Sequence, residues 1–296
     1  MNVLLINIDS FKIPNYALEK IKLYHKIHND NIYIDLPYMY NSVDKIYVSC
    51  IFDKNRKQAE EWECHNAIIG GSGYDLDTTL PTEIDTIIPR INFGFVTRGC
   101  NRNCEFCIVH RKEGNVHKVA DIDDIWDGKS ANITLLDNNI LFDKQIFTDT
   151  VEFAIKNNIT IDFNQGLDFR LLDDDVCKLL KSMKHTYYRF AFDDIKYLSQ
   201  VEKAIDLLHK HNIKHSVWYV IVGFNSNIND DLTRLEYLKQ RDERPYVMRY
   251  QSVSNNKQYT MLARWVNQRH LFMKKSFQEF VKMDNNYITN NMEIEL

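Results

Sequence analysis

An α/β fold is predicted for this 296-residue chain: a partial (β/α)6 barrel preceded by a small Rossmann-like α/β domain. Three observations carry it. Short apolar runs rich in Val, Ile and Tyr alternate with amphipathic helical stretches. The alternation comes in two series, separated by a connector from Thr79 to Pro89. In the second series the unusual polar residues fall just after the apolar runs, where parallel βα architectures place their chemistry.

The first series, residues 1–89, reads VLLINI, a helix whose face carries Ala17, Ile21 and Tyr24, then IYIDL, KIYVSCIF, a polar helix and NAIIGG. Pro14 and Asn15 sit at its first strand-to-helix turn, with proline suited to the opening turn of a helix. The second series, residues 90–250, offers six strands: INFGFV, ITLLD, ITIDFNQ, YYRFAFD, HSVWYVIVGF and PYVMRY. Helices fall between them, one bearing Phe147, Val151 and Ala154, one Tyr197, Val201, Ala204 and Leu208, and one Leu232, Leu235 and Leu238. Residues 251–296 form a helical extension with no strand signal.

Composition narrows the function classes. A hydrophobic content of 44% is enough to build cores without disulfides. The formal charge of −4 gives no bulk attraction to nucleic acid. No stretch approaches the roughly 20 apolar residues of a membrane span, and MNVLLINIDSF lacks a basic leader and reads as a buried strand. Six cysteines, three of them within eight residues, suit a metal or redox site in a reducing compartment, so a cytoplasmic protein is expected. Cys50, Cys64 and Cys177 lack clustered spacing and read as buried thiols.

The loop after the first strand of the second series is FVTRGCNRNCEFCIVHRKEG, in which Cys100, Cys104 and Cys107 form a CxxxCxxC triad. Thiolates at this spacing converge on one cluster only from a loop that wraps around it, and Gly99 relaxes the backbone where that loop begins. Three ligands on a four-iron cube leave one iron open to a small chelating molecule. A structural zinc site is the alternative; it wants four ligands, and no second cysteine pair is present, although His110 and His117 lie within reach in sequence.

The triad, with Phe106 before its third cysteine, resembles the signature of the radical S-adenosylmethionine superfamily, and the resemblance covers about Ile91 to Tyr250. It implies a [4Fe-4S] cluster on Cys100, Cys104 and Cys107, with S-adenosylmethionine chelating the open iron. It also implies reductive cleavage to a 5′-deoxyadenosyl radical, hydrogen abstraction from a substrate, and an external electron donor such as flavodoxin or ferredoxin. Methyl, methylthio or other group transfer is the expected class of outcome. A non-catalytic metal-binding or iron-sulfur electron-transfer module is the alternative.

Other strand ends supply weaker candidates for cofactor contact. Asp137, Asn138 and Asn139 follow ITLL, where the family carries a polar motif toward the amino group of S-adenosylmethionine; the usual glycine-glycine-glutamate is absent, and helix capping explains such residues equally well. IDFNQGLDFR gathers Asn164, Gln165, Asp168 and Arg170, polar groups able to bond ribose hydroxyls or a carboxylate. Asp193 and Asp194 are either site residues or caps. Gly223 resembles the family's glycine beside adenine, with a tight strand exit as the alternative. Arg249 and Tyr250 are the expected substrate contacts.

The first domain resembles the cobalamin-binding and methylthiotransferase-like branches of the superfamily. Ser49-Cys50-Ile51 and Gly70-Gly71 match two elements of the cobalamin pattern. Asp9 is followed by Phe11 in the histidine place and Pro14 in the glycine place, so the corrin-ligating histidine is missing and cobalamin is not favoured. The tail interleaves Lys257, Arg264, Arg269, His270, Lys274 and Lys275 with Tyr259, Trp265 and Phe272. Such a mixture can bind nucleic acid, but Tyr259, Leu262 and Trp265 recur at helical spacing, which favours a helix closing the barrel.

Overall fold

The computed structural model describes residues 1–9, 14–185 and 187–283, so Phe11 and the end of the extension lie outside the described residues. The chain divides into two compact units, Met1–Asn138 and the part from Asn139 onward.

The first unit opens on a parallel sheet of β1 (Asn2–Asn7), β2 (Asn31–Ile34), β3 (Lys45–Ser49) and β4 (Ile68–Gly70), in the order β2-β1-β3-β4. Alternate residues of its strands face opposite sides. Leu4, Ile6, Ile46 and Val48 pack on one face with Ala59 of α2 (Arg56–Glu60). Val3, Leu5 and Tyr47 meet Leu18 and Ile21 of α1 (Tyr16–Ile27) and Ile84 of α3 (Thr82–Asp85) on the other. Burial on both faces is why these strands read as near-continuous apolar runs. Asn15 caps α1 by accepting from the Leu18 amide and donates to Ser49 Oγ at 2.8 Å; Pro14 stands one residue before that cap, outside the helix.

The predicted strand INFGFV is broken. Only β5 (Phe93–Gly94) pairs in parallel with β8 (Asn132–Leu135). The chain then forms β6 (Thr97–Arg98), which runs antiparallel to β7 (His117–Lys118). Between these two short strands lie the cysteine triad and α4 (Val109–Glu113); α5 (Ile122–Ile125) leads on toward β8.

The second unit contains α6 (Lys144–Lys156), β9 (Thr160–Phe163), α7 (Asp174–Ser182), β10 (Arg189–Ala191), α8 (Leu198–Lys210), β11 (Val217–Val222), α9 (Ile228–Gln240) and β12 (Arg244–Arg249). β10, β11 and β12 form a parallel sheet in that order. The predicted faces of α6 and α8 are buried at Phe147, Val151, Ala154, Val201, Ala204 and Leu208, while Tyr197 belongs to the 3-10 turn before α8. α10 (Lys257–Val266) and α11 (Arg269–Lys274) follow, with Trp265 buried against Phe272. α10 also blunts the sheet edge: Asn267, just after it, accepts from the Val247 amide at 2.8 Å and donates to the Val247 carbonyl, while Pro245 has no N–H to offer. Among the described residues no helix is long and apolar enough to cross a membrane.

α9 departs from the expected leucine stripe. Leu235 and Leu238 are buried, but Leu232 is only half-buried, and the buried places one turn before them go to an ion pair, Asp231 with Arg234, both 0% exposed. The Arg234 guanidinium donates to the Phe192 carbonyl at 2.5 Å and the Ile221 carbonyl at 2.8 Å, and Asp231 Oδ2 accepts from the Gly223 amide at 3.2 Å. One pair thus satisfies backbone groups at the carboxyl ends of two strands. Breaking a buried pair by removing one partner leaves an uncompensated charge. Arg234→Ala is therefore expected to lower the unfolding free energy by about 3–5 kcal/mol in urea titration, and Asp231→Asn in the same background to restore part of it.

Candidate functional site

In the first unit, the triad sits on a loop whose two legs are tied together. The Cys100 amide donates to the Gly114 carbonyl at 3.0 Å, the Val116 amide to Asn101 Oδ1 at 2.8 Å, and β6 pairs with β7 through Arg98 and His117. Arg98 Nε also meets Glu113 Oε2 at 2.6 Å. Gly99 is required here: its φ is +87°, and a Cβ at this position would lie 2.3 Å from the Asn115 carbonyl oxygen. Cys100 and Cys104 are half-buried and Cys107 exposed; of the other thiols Cys50 and Cys177 are buried as expected, but Cys64, on the short 3-10 turn after α2, is exposed. The Cys107 amide turns back to the Cys104 carbonyl at 2.9 Å, and the Arg102 amide donates to Cys100 Sγ at 3.4 Å, the type of contact that tunes a sulfur ligand. His110 Nδ1 lies 3.3 Å from the Cys100 carbonyl and His117 Nδ1 2.9 Å from the Asn115 carbonyl, so these rings are engaged with the loop backbone.

Thiolates around one tetrahedral zinc lie ~2.3 Å from it. Among the described residues no three His, Cys, Asp or Glu side chains gather closely enough to hold a single ion. Three soft sulfur donors on one glycine-hinged loop are a donor set that suits an iron-sulfur cluster. The residues present fit that group.

Two of the strand-end candidates hold this loop from below. Asp137, 4% exposed at the end of β8, accepts from the Val96 amide at 3.1 Å, the Thr97 amide at 2.5 Å and Thr97 Oγ1 at 2.7 Å. Asn138 Oδ1 accepts from the Gly99 amide at 3.1 Å. The carboxylate draws two amides away from the sheet ladder, and that ends β5 early. Asp137 and Asn138 were expected to face a cofactor; their oxygens instead fix the backbone leading into Cys100.

In the second unit, Asn139 is buried and its amide donates to Asp168 Oδ2 at 3.4 Å. Asp168 Oδ1 accepts from Arg170 Nε at 2.6 Å, and the Arg170 guanidinium lies 5.4 Å from the ring centroids of both Phe169 and Tyr197. Gln165 is exposed on the turn after β9, and the Asn164 carbonyl accepts from Tyr219. The pair Asp193 and Asp194 separates cleanly: Asp194 is the cap, accepting from the Lys196 amide, whereas Asp193 accepts from the Ile221 amide at 3.1 Å across the sheet. Burial pushes the Asp193 carboxyl above its ordinary value.

At the strand exits the chain uses its own groups. Gly223 has φ +76°, and a Cβ there would lie 2.5 Å from the Val253 methyls, so valine takes the space beside it. Arg249 donates to the Ser254 carbonyl and to Thr260 Oγ1, each at 2.6 Å, and Tyr250 meets the Phe224 ring edge-on. Sequence reasoning missed Asp231 and Arg234; an i,i+3 charge pair in the same helical register as Leu235 and Leu238 was the available signal.

A parallel α/β chain with its cysteine triad on a cinched loop beside a strand end has a fold found among radical S-adenosylmethionine proteins. It is similar to the solved structure of the radical S-adenosylmethionine methyltransferase TsrM from Kitasatospora setae, determined with cobalamin and a [4Fe-4S] cluster bound. The TM-score is 0.62 at 9% identity, over 84% of this chain and 72% of that one. No protein-family model matches this sequence, and no curated protein matches it.

Asp137 yields a pH prediction. Burial pushes its carboxyl from 3.8 up to about 6 against the hydrogen bonds it accepts. A folded-state value above the unfolded one means that its contribution to stability is full below about pH 4 and is lost as pH rises through about 6. The difference of about two units corresponds to about 3 kcal/mol. Urea unfolding should show this fall in the wild type between about pH 4 and pH 6, and Asp137→Asn should flatten it.

Proposed function

We propose that this chain is a radical S-adenosylmethionine enzyme in which Cys100, Cys104 and Cys107 hold a [4Fe-4S] cluster. The single observation that carries this is the triad on a loop closed by Gly99, Asp137 and Asn138, within a fold similar to that of a cluster-bound methyltransferase. When bound, the cluster supplies an electron to S-adenosylmethionine and so initiates hydrogen abstraction from substrate. The protein's own share is to bind and orient. The three thiolates hold iron, Gly99 lets the loop legs close, and Asp137 with Asn138 sets the backbone at Cys100. Phe106 stands within the triad. Asn139, Asn164, Gln165, Arg170 and Asp193 are the proposed polar contacts of S-adenosylmethionine, Gly223 having its open side taken by Val253, and Arg249 and Tyr250 are the proposed substrate contacts.

The finer architecture belongs to the same proposal: a small domain over 1–89, a partial (β/α)6 barrel over 90–250 and a helical extension over 251–296. Parallel pairing within β5–β8 and within β10-β11-β12 supports it. Electrons would come from a flavodoxin or ferredoxin. The neighbour's methyl transfer supports placing this chain's reaction among group transfers, with the substrate open. Cobalamin is no part of the proposal. A Cβ on Gly71 or Gly73 would lie 2.3 Å from the backbone of Cys50 or Phe52, and Asp9 is bound to the amides of Ile51 and Phe52, so these described residues pack on one another; with Phe11 in the histidine place, cobalamin is not favoured.

Anaerobic reconstitution tests the proposal. The wild type should take up about four iron and four sulfide per chain and, with S-adenosylmethionine and a strong reductant, release 5′-deoxyadenosine. Cys104→Ser should abolish both. Gly99→Ala should lower iron uptake more than about twofold, because it forces the loop legs apart. A fully loaded protein that releases no 5′-deoxyadenosine would sink the enzyme reading in favour of an electron-transfer module.

A further inference from the structure

The cysteine loop is held by more than its own backbone. Lys20, on α1, is buried, and a buried ammonium needs a partner. It finds one in Asp85, at the end of α3: Nζ donates to the Asp85 carbonyl and lies 2.9 Å from Oδ1. The same Oδ1 lies 3.4 Å from the Arg98 guanidinium, and Arg98 Nε in turn lies 2.6 Å from Glu113 Oε2. Four charges of alternating sign thus run from the first helix of the sheet layer to both legs of the loop, Arg98 two residues before Cys100 and Glu113 six residues after Cys107.

Two further contacts run the same way. The Tyr16 ring, on α1, meets Phe95 edge-on with centroids 5.4 Å apart, and it covers Gly94, where a Cβ would lie 3.0 Å from it. The Arg98 guanidinium lies 5.6 Å from the centroid of that same Phe95 ring. Lys112, on α4, donates to Ser72 Oγ at 3.4 Å, in the turn that follows β4. All of these residues belong to the first compact unit. Exposed ion pairs contribute little, because two mobile side chains must be held in one geometry. Here burial fixes Lys20, Lys20 fixes Asp85, and Arg98, 26% exposed, receives a carboxylate already in place.

We infer that the first α/β layer positions the cysteine triad, with Lys20, Asp85 and Arg98 as positioning residues that act through Glu113 and the backbone at Gly99. This gives the layer a task that needs no ligand of its own. The inference rests on the cluster of the proposed function.

Hydrogen exchange and iron release of the full chain test it. Lys20→Met removes the ammonium and keeps an apolar stem in its buried place. In the cluster-free chain it should speed amide exchange across residues 96–118 at least about threefold and leave β1 as protected as in the wild type. After anaerobic reconstitution it should speed release of iron to a chelator at least about threefold, and the electron paramagnetic resonance of the reduced cluster should shift from the wild-type spectrum. Glu113→Gln, which weakens the far end of the series, should do the same, and the double variant should fall short of the product of the two singles because both loosen Arg98. Lys22→Met should change none of these readings, since Lys22 pairs with Glu19 within α1. The inference is overturned if Lys20→Met exchanges the loop and releases iron at wild-type rates, or if β1 loosens as much as the loop, which would make Lys20 a general stabiliser of the fold. A wild type that takes up no iron would remove the cluster proposal instead, and loop exchange, which needs no cluster, would still decide whether the layer holds the triad.

Discussion

The Asp137 carboxylate is the constraint on which the candidate site depends. A strand continues for as long as its amides find partners in the next strand, and here two consecutive amides, from Val96 and Thr97, find a buried carboxylate instead. That choice ends β5 after Gly94 and releases the chain to pair antiparallel with β7. It also places Gly99 where its amide meets Asn138 and its missing side chain admits the opposite leg of the loop. Cys100 follows directly, so the position of the first thiolate is set by hydrogen bonds made three and four residues earlier.

The second unit solves a similar problem with the opposite charge. At the ends of β10 and β11 the unsatisfied groups include the carbonyls of Phe192 and Ile221, and a buried guanidinium answers them. Arg234 needs Asp231 beside it, because an unpaired buried cation is costly, and Asp231 in turn accepts from Gly223. In both units, then, buried charge near strand ends serves the backbone. A carboxylate suits amides, and a guanidinium with its fork of donors suits carbonyls. Such groups position a site without touching what it binds.

The α/β class, its parallel pairing and the helical faces of α6 and α8 were legible in the sequence because burial writes a period into it. The triad stands out in the sequence by its spacing, and the fold keeps it on one closed loop. What could not be read is how polar strand-end residues divide their duties. Asp193 and Asp194 are adjacent and identical, yet one caps a turn and the other reaches the Ile221 amide; only the direction of each side chain separates them. Asp137 looked like a cofactor contact for the same reason. The break in INFGFV was hidden because the residue that causes it lies some forty positions downstream. Leu232 misled through a stripe that was real but shifted, Asp231 and Arg234 being the buried residues of that turn.

Net charge concealed a further distinction. A total of −4 describes no surface, since electrostatic attraction is screened over a Debye length of about 8–10 Å and is decided by the charges within that range. The stretch from Arg244 to Gln278 carries lysines and arginines but no aspartate or glutamate, and it forms one edge strand and the helices that follow it. The same helices supply Asn267, which closes the backbone of β12 to another strand, so this edge is denied to β-augmentation and left with side chains alone. Along β12 itself the alternation of a strand then decides what each side offers: Tyr246 lies against Tyr219 on one face, while Arg249, three residues on, belongs to the other and bonds the chain's own Ser254 and Thr260.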